Sequence, residues 1–268
     1  MAKRVTLFCM SEPEIDLRQL QQMAQVNRKV INRLKDRVAI LENAVELVCD
    51  DPQMAWLYRN RSERMDPTVP LFAKGRAGFH LARYEFACQY AASKRIADIA
   101  CGTGYGVRML VEQGRADFVQ GIDVCPDTIN YAGQRHGVSN TQFECTDAAD
   151  NGLPDASFDL VTSFETLEHL NNEQQLLSEF ARVLRPGGQL ICSTPNGWDL
   201  AIAEHHVRVY NRDSFLAALN EHFEVTELFN QNSGTDFKYN HDQPAGIVPC
   251  TDDNHHLAEC FIAVANKK

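Results

Sequence analysis

Three glycines at every second position follow an apolar segment in the first half of the chain. Residues 96–100 lead into Cys101-Gly102-Thr103-Gly104-Tyr105-Gly106, which predicts a buried parallel strand, a tight turn and the start of a helix. Because glycine has no Cβ, the backbone N–H groups of this turn can approach a ligand closely, and a helix N-terminus favours negative charge. Asp98 lies inside the strand, where burial of an unpaired carboxylate is costly.

A second acid ends the next predicted strand. Residues 118–122 are followed by Asp123, nineteen positions after Gly104. An acid at the tip of the second strand is placed to accept hydrogen bonds from ribose hydroxyls. The glycine spacing is G-x-G-x-G, which differs from the G-x-G-x-x-G of dinucleotide-binding proteins.

Two later motifs extend this pattern. F-D-L-V-T-S-F-E-T-L-E-H-L occupies residues 158–170, and L-R-P-G-G occupies residues 184–188 before a predicted strand. With the glycine turn and Asp123, they resemble the class I S-adenosylmethionine (SAM)-dependent methyltransferases of the bacterial small-molecule or glycan type (type 11/12). The resemblance implies an α/β fold with a doubly wound, mostly parallel, seven-stranded Rossmann-like sheet. It also implies methyltransferase activity, with SAM as the cofactor.

The resemblance assigns the cofactor-binding residues. It implies that Asp123 binds the ribose, that the glycine turn faces the methionine part, and that an acid after the third strand receives the adenine amino group. The full cofactor set is Asp98, Ala100, Gly102, Gly104, Asp123, Val124, Asp147, Ala148 and Phe164.

The expected catalytic residues follow the fourth strand. Methyl transfer from a sulfonium mainly requires alignment, whereas a hydroxyl acceptor benefits from a general base. We expect His169 to be that base, His206 to be the second candidate, and Glu165 to contact cofactor or acceptor. A purely structural role for His169, packing on the next helix, is the alternative.

The acceptor is expected to be a hydroxyl, or less readily an amine, of a small molecule or saccharide. The segment from His206 to Tyr210 resembles the H-V-R-x-Y loop of methyltransferases encoded with glycan-modifying enzymes, which implies that Arg208 and Tyr210 bind the acceptor. Histidines are numerous, but neither adjacent pair has the spacing of a helical metal site, so no metal is predicted. The histidines considered are His205, His206, His241, His255 and His256.

The first 51 residues predict one long helix. Apolar residues alternate in steps of three and four from Leu17 to Val48, with Asn27 the polar member, which predicts a coiled coil that joins subunits into a homo-oligomer. An amphipathic helix lying along its own domain is the alternative. Asp50-Asp51-Pro52 is expected to end the helix. Residues 52–95 are then a connecting and cap segment, and residues 96–268 the methyltransferase domain.

Charge, cysteine content and hydropathy limit the partners and the compartment expected for the protein. The net charge of −10 argues against general nucleic-acid binding, although residues 1–95 carry +5 and residues 96–268 carry −15. Nine cysteines without a C-x-x-C pair suit a reducing compartment. No apolar stretch is long enough to span a bilayer, so we expect a cytoplasmic protein.

Two other function classes remain possible from the sequence. A nicotinamide-dependent oxidoreductase would share the strand, glycine turn and ribose acid, but the glycine spacing argues against it. A non-catalytic coiled-coil scaffold that retains a SAM-binding domain would have the same overall organisation. The acids at Asp98, Asp123 and Asp147 argue against such a decayed domain.

Overall fold

The computed structural model of the protein describes residues 51–60, 64–69, 72, 76–197, 205–232 and 246–268. The predicted coiled coil, residues 12–49, lies outside these ranges. The chain divides into two compact units after Asn60, and each is described by itself.

The described part of the first unit is helix α1, Pro52–Arg59. The Asp51 side chain caps it by accepting hydrogen bonds from the backbone N–H groups of Gln53 (2.9 Å) and Met54 (3.4 Å). The first residues of the predicted connecting and cap segment, 52–59, are thus helical. Asp-Pro was interpreted as a helix end, but an acid followed by proline is equally the signal of a helix start.

The second unit alternates helices and strands. Its elements, in chain order, are α2 (Arg76–Cys88), β1 (Arg95–Ile99), α3 (Tyr105–Glu112), β2 (Phe118–Asp123), α4 (Pro126–His136), β3 (Thr141–Cys145), β4 (Phe158–Phe164), a 3₁₀ turn (Leu167–His169), α5 (Glu173–Val183), β5 (Leu184–Pro195), α6 (Arg212–Leu219), β6 (Phe223–Asn232), β7 (Gly246–Pro249), a 3₁₀ turn (His255–Leu257) and β8 (Cys260–Lys267).

The strands form one mixed sheet in the order β3-β2-β1-β4-β5-β8-β6-β7. The first five strands along the chain pair in parallel, and β8 joins β5 and β6 antiparallel. The seven predicted strands and the antiparallel hairpin are present. An eighth strand, the four-residue β7, extends the edge beyond β6. Strand β5 also begins earlier than predicted, at Leu184. The R-P-G-G residues remain part of the strand, opposite a register shift between Phe158 and Leu160 of β4.

Both faces of the sheet are covered by helices. One buried cluster joins the sheet to α5 and α6, and the other joins it to α2 and α3. Apolar residues are near-continuous in β1 and β4, and parallel strands with that pattern need to be buried on both faces. The doubly wound α/β architecture is confirmed. Among the described residues, no helix is both long and apolar enough to cross a bilayer.

Residues 64–69, here called the cap segment, are held by the buried carboxylate of Asp66. Its oxygens accept hydrogen bonds from the hydroxyls of Thr68 (2.6 Å) and Tyr131 (2.7 Å), and His136 Nε2 lies 2.7 Å away. Burial alone would raise the pKa of Asp66, but the hydrogen bonds of His136, Thr68 and Tyr131 outweigh it and lower the pKa to about 2. The ionised carboxylate therefore ties this segment to α4.

We expect Asp66→Asn to lower the free energy of unfolding by about 2 kcal/mol at pH 7, the linkage value of a pKa lowered by nearly two units. A lowered carboxyl pKa stabilises the fold above the unfolded-state pKa, and that stabilisation is lost as the pH falls towards about 2. Urea titrations at pH 7 and at about pH 3 should show the difference from wild type shrinking by about half. The exposed Asp117→Asn is the control; an Asp66 variant that matches it at pH 7 would refute the assignment.

Candidate cofactor and acceptor site

The turn from Ala100 to Gly106, here called the glycine loop, connects β1 to α3 through left-handed backbone. Ala100, Gly102 and Gly104 have φ values of 63°, 56° and 85°. A Cβ added at Gly104 would lie 2.7 Å from the Cβ of Ala132 and 2.8 Å from the ring of Phe143, whereas one at Gly102 would meet no atom within 4 Å. Packing therefore requires the glycine at 104, while Gly102 faces open space.

Asp98 lies in β1, shortly before this loop. Its carboxyl group is buried and accepts hydrogen bonds from the hydroxyls of Thr162 (2.6 Å) and Tyr84 (3.0 Å). Burial raises the pKa of Asp98 to about 7, with a further contribution from the charge of Asp123, although the two hydrogen bonds oppose the shift. The Tyr84 ring occupies the space that a side chain at Gly106 would need.

Asp123 lies at the tip of β2, beside the glycine loop. Its oxygens accept hydrogen bonds from the backbone N–H groups of Gly102 (3.1 Å) and Cys125 (3.0 Å), and Arg64 of the cap segment lies 3.6 Å away. The next residue, Val124, is 65% exposed. The largely buried Asp123 is thus followed directly by an exposed apolar side chain.

The remaining predicted cofactor residues lie at the ends of β3 and β4. Asp147 is exposed, and its Oδ1 accepts a hydrogen bond from the N–H of Ala149 (2.8 Å). Ala148 is half-buried against the core. Phe164 ends β4 and its ring makes an edge contact with Tyr84, with centroids 4.9 Å apart. Strands β3 and β4 belong to the parallel part of one sheet, and the carboxyl ends of such strands form the usual ligand-binding edge.

Glu165 follows β4 in a left-handed conformation (φ 54°). Its Oε1 accepts hydrogen bonds from the hydroxyl of Ser193 (2.9 Å) and the thiol of Cys260 (3.4 Å), and the buried guanidinium of Arg83 lies 3.5 Å away. Arg83 in turn donates to Gln231 Oε1 at 2.6 Å. Sequence reasoning missed Arg83 because its partners lie on β6 and after β4.

The rings of His169 and His206 are in contact, and the carboxyl group of Glu168 lies close to both. The His169 and His206 rings meet edge to face with centroids 4.8 Å apart, and His169 Nδ1 lies 3.0 Å from the carbonyl oxygen of His205. Glu168 is 1% exposed, and Thr194 donates to its Oε2 at 3.3 Å. Burial, and then the charge of Glu165, raise the pKa of Glu168 well above its usual range. The sequence analysis assigned Glu168 no role, because its partner Thr194 lies 26 positions away on β5.

The side chains of Arg208 and Tyr210 make their contacts within the domain. The Arg208 guanidinium donates to the carbonyl oxygens of Leu170 (2.9 Å) and Asn171 (2.7 Å) and pairs with Glu173. Tyr210 is buried in the core, and burial raises its pKa to about 12. Both side chains thus fasten their loop to the domain, and their contact with an acceptor stays a prediction.

Comparisons with known proteins point to one family. Residues 97–192 match the model of a methyltransferase domain. A probable S-adenosylmethionine-dependent methyltransferase of Mycolicibacterium smegmatis is 32% identical over 54% of this chain and 58% of its own length. A fatty-acid O-methyltransferase of the same organism is 30% identical over 52% of this chain and 51% of its own length. The chain thus spans little more than half the length of these curated relatives.

A solved structure shows the same fold. The methyltransferase in complex with the Trm112 methyltransferase activator of Haloferax volcanii superposes with a TM-score of 0.58, at 18% identity, over 79% of this chain and 94% of that one. Residues 97–192 are thus a methyltransferase domain, similar to the domains of class I SAM-dependent methyltransferases. The cofactor of this family is SAM.

The residues of the methyltransferase domain fit that cofactor. The backbone at Gly102 faces open space, so its loop can approach the methionine part closely. Asp123 at the tip of β2 would accept from the ribose hydroxyls, and the exposed Val124 would offer an apolar surface to a planar base. The hydrogen bond from the Thr103 hydroxyl to the carbonyl oxygen of Met65 (2.7 Å) holds the cap segment next to the loop.

Two alanine substitutions in the glycine loop should differ in their main effect. Gly102→Ala should mainly weaken SAM binding, whereas Gly104→Ala should mainly destabilise the fold. Gly102→Ala should cost about 1 kcal/mol of stability, from left-handed backbone alone, yet weaken SAM binding at least tenfold because the methyl group enters the ligand's space. Gly104→Ala should cost roughly 2–4 kcal/mol, because overpacking against Ala132 and Phe143 is added. Calorimetric SAM titration and urea unfolding measure both. Gly133→Ala, in open space on α4, is the control, and unchanged SAM affinity in Gly102→Ala would contradict the placement.

Proposed function

We propose that this protein transfers the methyl group of SAM to a hydroxyl oxygen of a small molecule or saccharide. The observation that carries the proposal is the cluster at the carboxyl end of β4. There Glu165, His169 and His206 follow the strand and loop that face the cofactor side of the sheet. The relatives' names support oxygen as the acceptor atom, since one of them is a fatty-acid O-methyltransferase.

Each group of side chains has a role in this proposal. Bound SAM supplies an activated methyl group on a positively charged sulfur. The backbone of Gly102 and Gly104, together with Asp123, binds and orients the cofactor. Alignment of the acceptor oxygen with the methyl group accounts for most of the acceleration expected of such an enzyme.

His169 is the residue proposed to activate the acceptor hydroxyl. A backbone carbonyl can only accept, so Nδ1 carries the proton that is donated to His205 and Nε2 keeps its lone pair. Glu165 is held in place by Ser193 and Arg83, so it can contact the acceptor as a fixed acid. An amine acceptor would need less help of this kind, and a non-catalytic scaffold would need none.

His169→Ala should keep SAM affinity within about twofold and lower turnover by roughly 10²-fold or more, the usual scale for a group that handles an acceptor's proton. The test incubates the full chain with SAM and a panel of nucleotide-sugars, glycolipids and small alcohols. Mass spectrometry then detects a gain of one CH₂ unit, and calorimetry measures SAM binding. His222→Ala, a histidine on the turn before β6, is the matched control. Normal turnover in His169→Ala would remove this residue from the reaction, and SAM binding without turnover on any acceptor would favour the scaffold.

We also propose that residues 12–49 form a coiled coil joining subunits. The proposal rests on the heptad pattern from Leu17 to Val48, in which Asn27 would pair with its copy and set the register. Light scattering should give a larger subunit count for the full chain than for a chain starting at Pro52. Equal counts would show that the helix does not join subunits.

A further inference from the structure

Three metal-ligating side chains meet where β4 and β5 end, although they come from two separate segments of the chain. One ligating atom from each of Glu168, His169 and His206 lies within 4.8 Å of the others. From this geometry we propose that these residues bind a divalent transition-metal ion at the acceptor side of the site. The sequence analysis predicted no metal, because it considered only neighbouring histidines and fixed helical offsets.

The carboxylate of Glu168 supplies the first argument. The side chain is 1% exposed, and its Oε1 has no hydrogen-bond partner within the described part of the chain. That oxygen lies 3.9 Å from His169 Nε2. A buried carboxylate oxygen without a partner is costly, since it has lost water and gained nothing in return. A cation between Glu168 and the two imidazoles would satisfy it.

The orientation of His169 supplies the second argument. Its Nδ1–H donates to the His205 carbonyl at 3.0 Å, which leaves the Nε2 lone pair directed to the side where Glu168 lies. Metal-binding histidines nearly always donate their other ring N–H to a carbonyl or carboxylate in this way. Glu168 is supported similarly, because the Thr194 hydroxyl donates to its second oxygen.

The two segments are fastened to each other on both sides of the three ligands. The N–H of Val207 donates to the carbonyl oxygen of Glu168 at 2.9 Å, and His169 donates back to His205. Arg208 adds its contacts with the carbonyls of Leu170 and Asn171. His206 is therefore held opposite Glu168 by backbone contacts, and this accounts for the otherwise unused Arg208.

The donor set indicates the class of metal. One carboxylate and two imidazoles suit Zn²⁺, Fe²⁺, Co²⁺ or Mn²⁺ better than Ca²⁺ or Mg²⁺, which prefer oxygen ligands. Metal bonds of about 2.0–2.2 Å place donor atoms roughly 3–3.5 Å apart, so the side chains need to close by about an ångström onto an ion. Three protein ligands leave coordination positions open for an acceptor oxygen, as in catalytic metal sites.

The role of the ion rests on the proposed function, whereas its binding does not. An acceptor hydroxyl bound to the ion loses its proton to water more readily, because the positive charge stabilises the alkoxide. The oxygen lone pair then forms the bond to the methyl carbon as the carbon–sulfur bond breaks, and the sulfur leaves with that electron pair as a neutral thioether. In this arrangement His169 activates the hydroxyl through the ion rather than by taking the proton itself.

The test is metal binding by the full chain after treatment with EDTA. Isothermal titration with Zn²⁺ should give one site per chain, and Glu168→Gln and His206→Ala should weaken it by roughly 10- to 100-fold or more. Because the chain has nine cysteines, Co²⁺ is the second probe. The site predicts a visible d–d spectrum without the near-ultraviolet band of thiolate ligands.

The paired variant His255→Ala/His256→Ala, at a 3₁₀ turn that contributes no residue to the cluster, is the control and should bind Zn²⁺ like wild type. Glu168→Gln keeps the shape of the side chain, and circular dichroism with SAM titration shows that it folds. No stoichiometric Zn²⁺ in wild type, a thiolate band, or wild-type affinity in Glu168→Gln would overturn the site. Full methyl transfer in EDTA would overturn the role of the ion but leave the proposed function. Zn²⁺ binding without SAM binding would support the site and overturn the proposed function.

Discussion

The buried carboxyl group of Asp98 is the point at which the sheet, the glycine loop and helix α2 meet. It needs partners because it is shielded from water, and it finds them in Thr162 of β4 and Tyr84 of α2. The ring of Tyr84 then fills the space over Gly106. The third glycine of the loop is thus explained by packing, whereas Gly102 alone is left facing open space. The contact between Tyr84 and Asp98 thus holds α2 against the loop and explains why residue 106 is a glycine.

The elements that are encoded locally could be predicted. The strand–turn–helix at the glycine loop, Asp123 at the end of β2 and the antiparallel final hairpin all follow from short patterns read in chain order. Asp51-Pro52 shows the limit of such patterns, because the same two residues can end one helix or begin another. The choice depends on whether the Asp51 side chain finds free N–H groups after it, as it does at Gln53 and Met54.

The acceptor side was harder to predict because its contacts join distant parts of the chain. Arg83 meets Gln231 across 148 positions, and Glu168 meets Thr194 across 26. Motif matching predicted roles for His169 and Glu165, and a similar loop predicted that Arg208 and Tyr210 bind the acceptor. Their hydrogen bonding and burial show that residue type within a motif does not determine which way a side chain faces.

Two residues without a glycine's freedom, Ala100 and Glu165, adopt left-handed backbone at the ends of the adjacent strands β1 and β4. Such a conformation costs roughly 1–2 kcal/mol per residue and is retained only where the surroundings impose it. For Glu165 the direction of its Cα–Cβ bond is therefore set by the main chain rather than by a choice of rotamer. A substitution of Glu165 would therefore change the chemical group at this position, whereas the main chain would still set the direction in which its Cβ points.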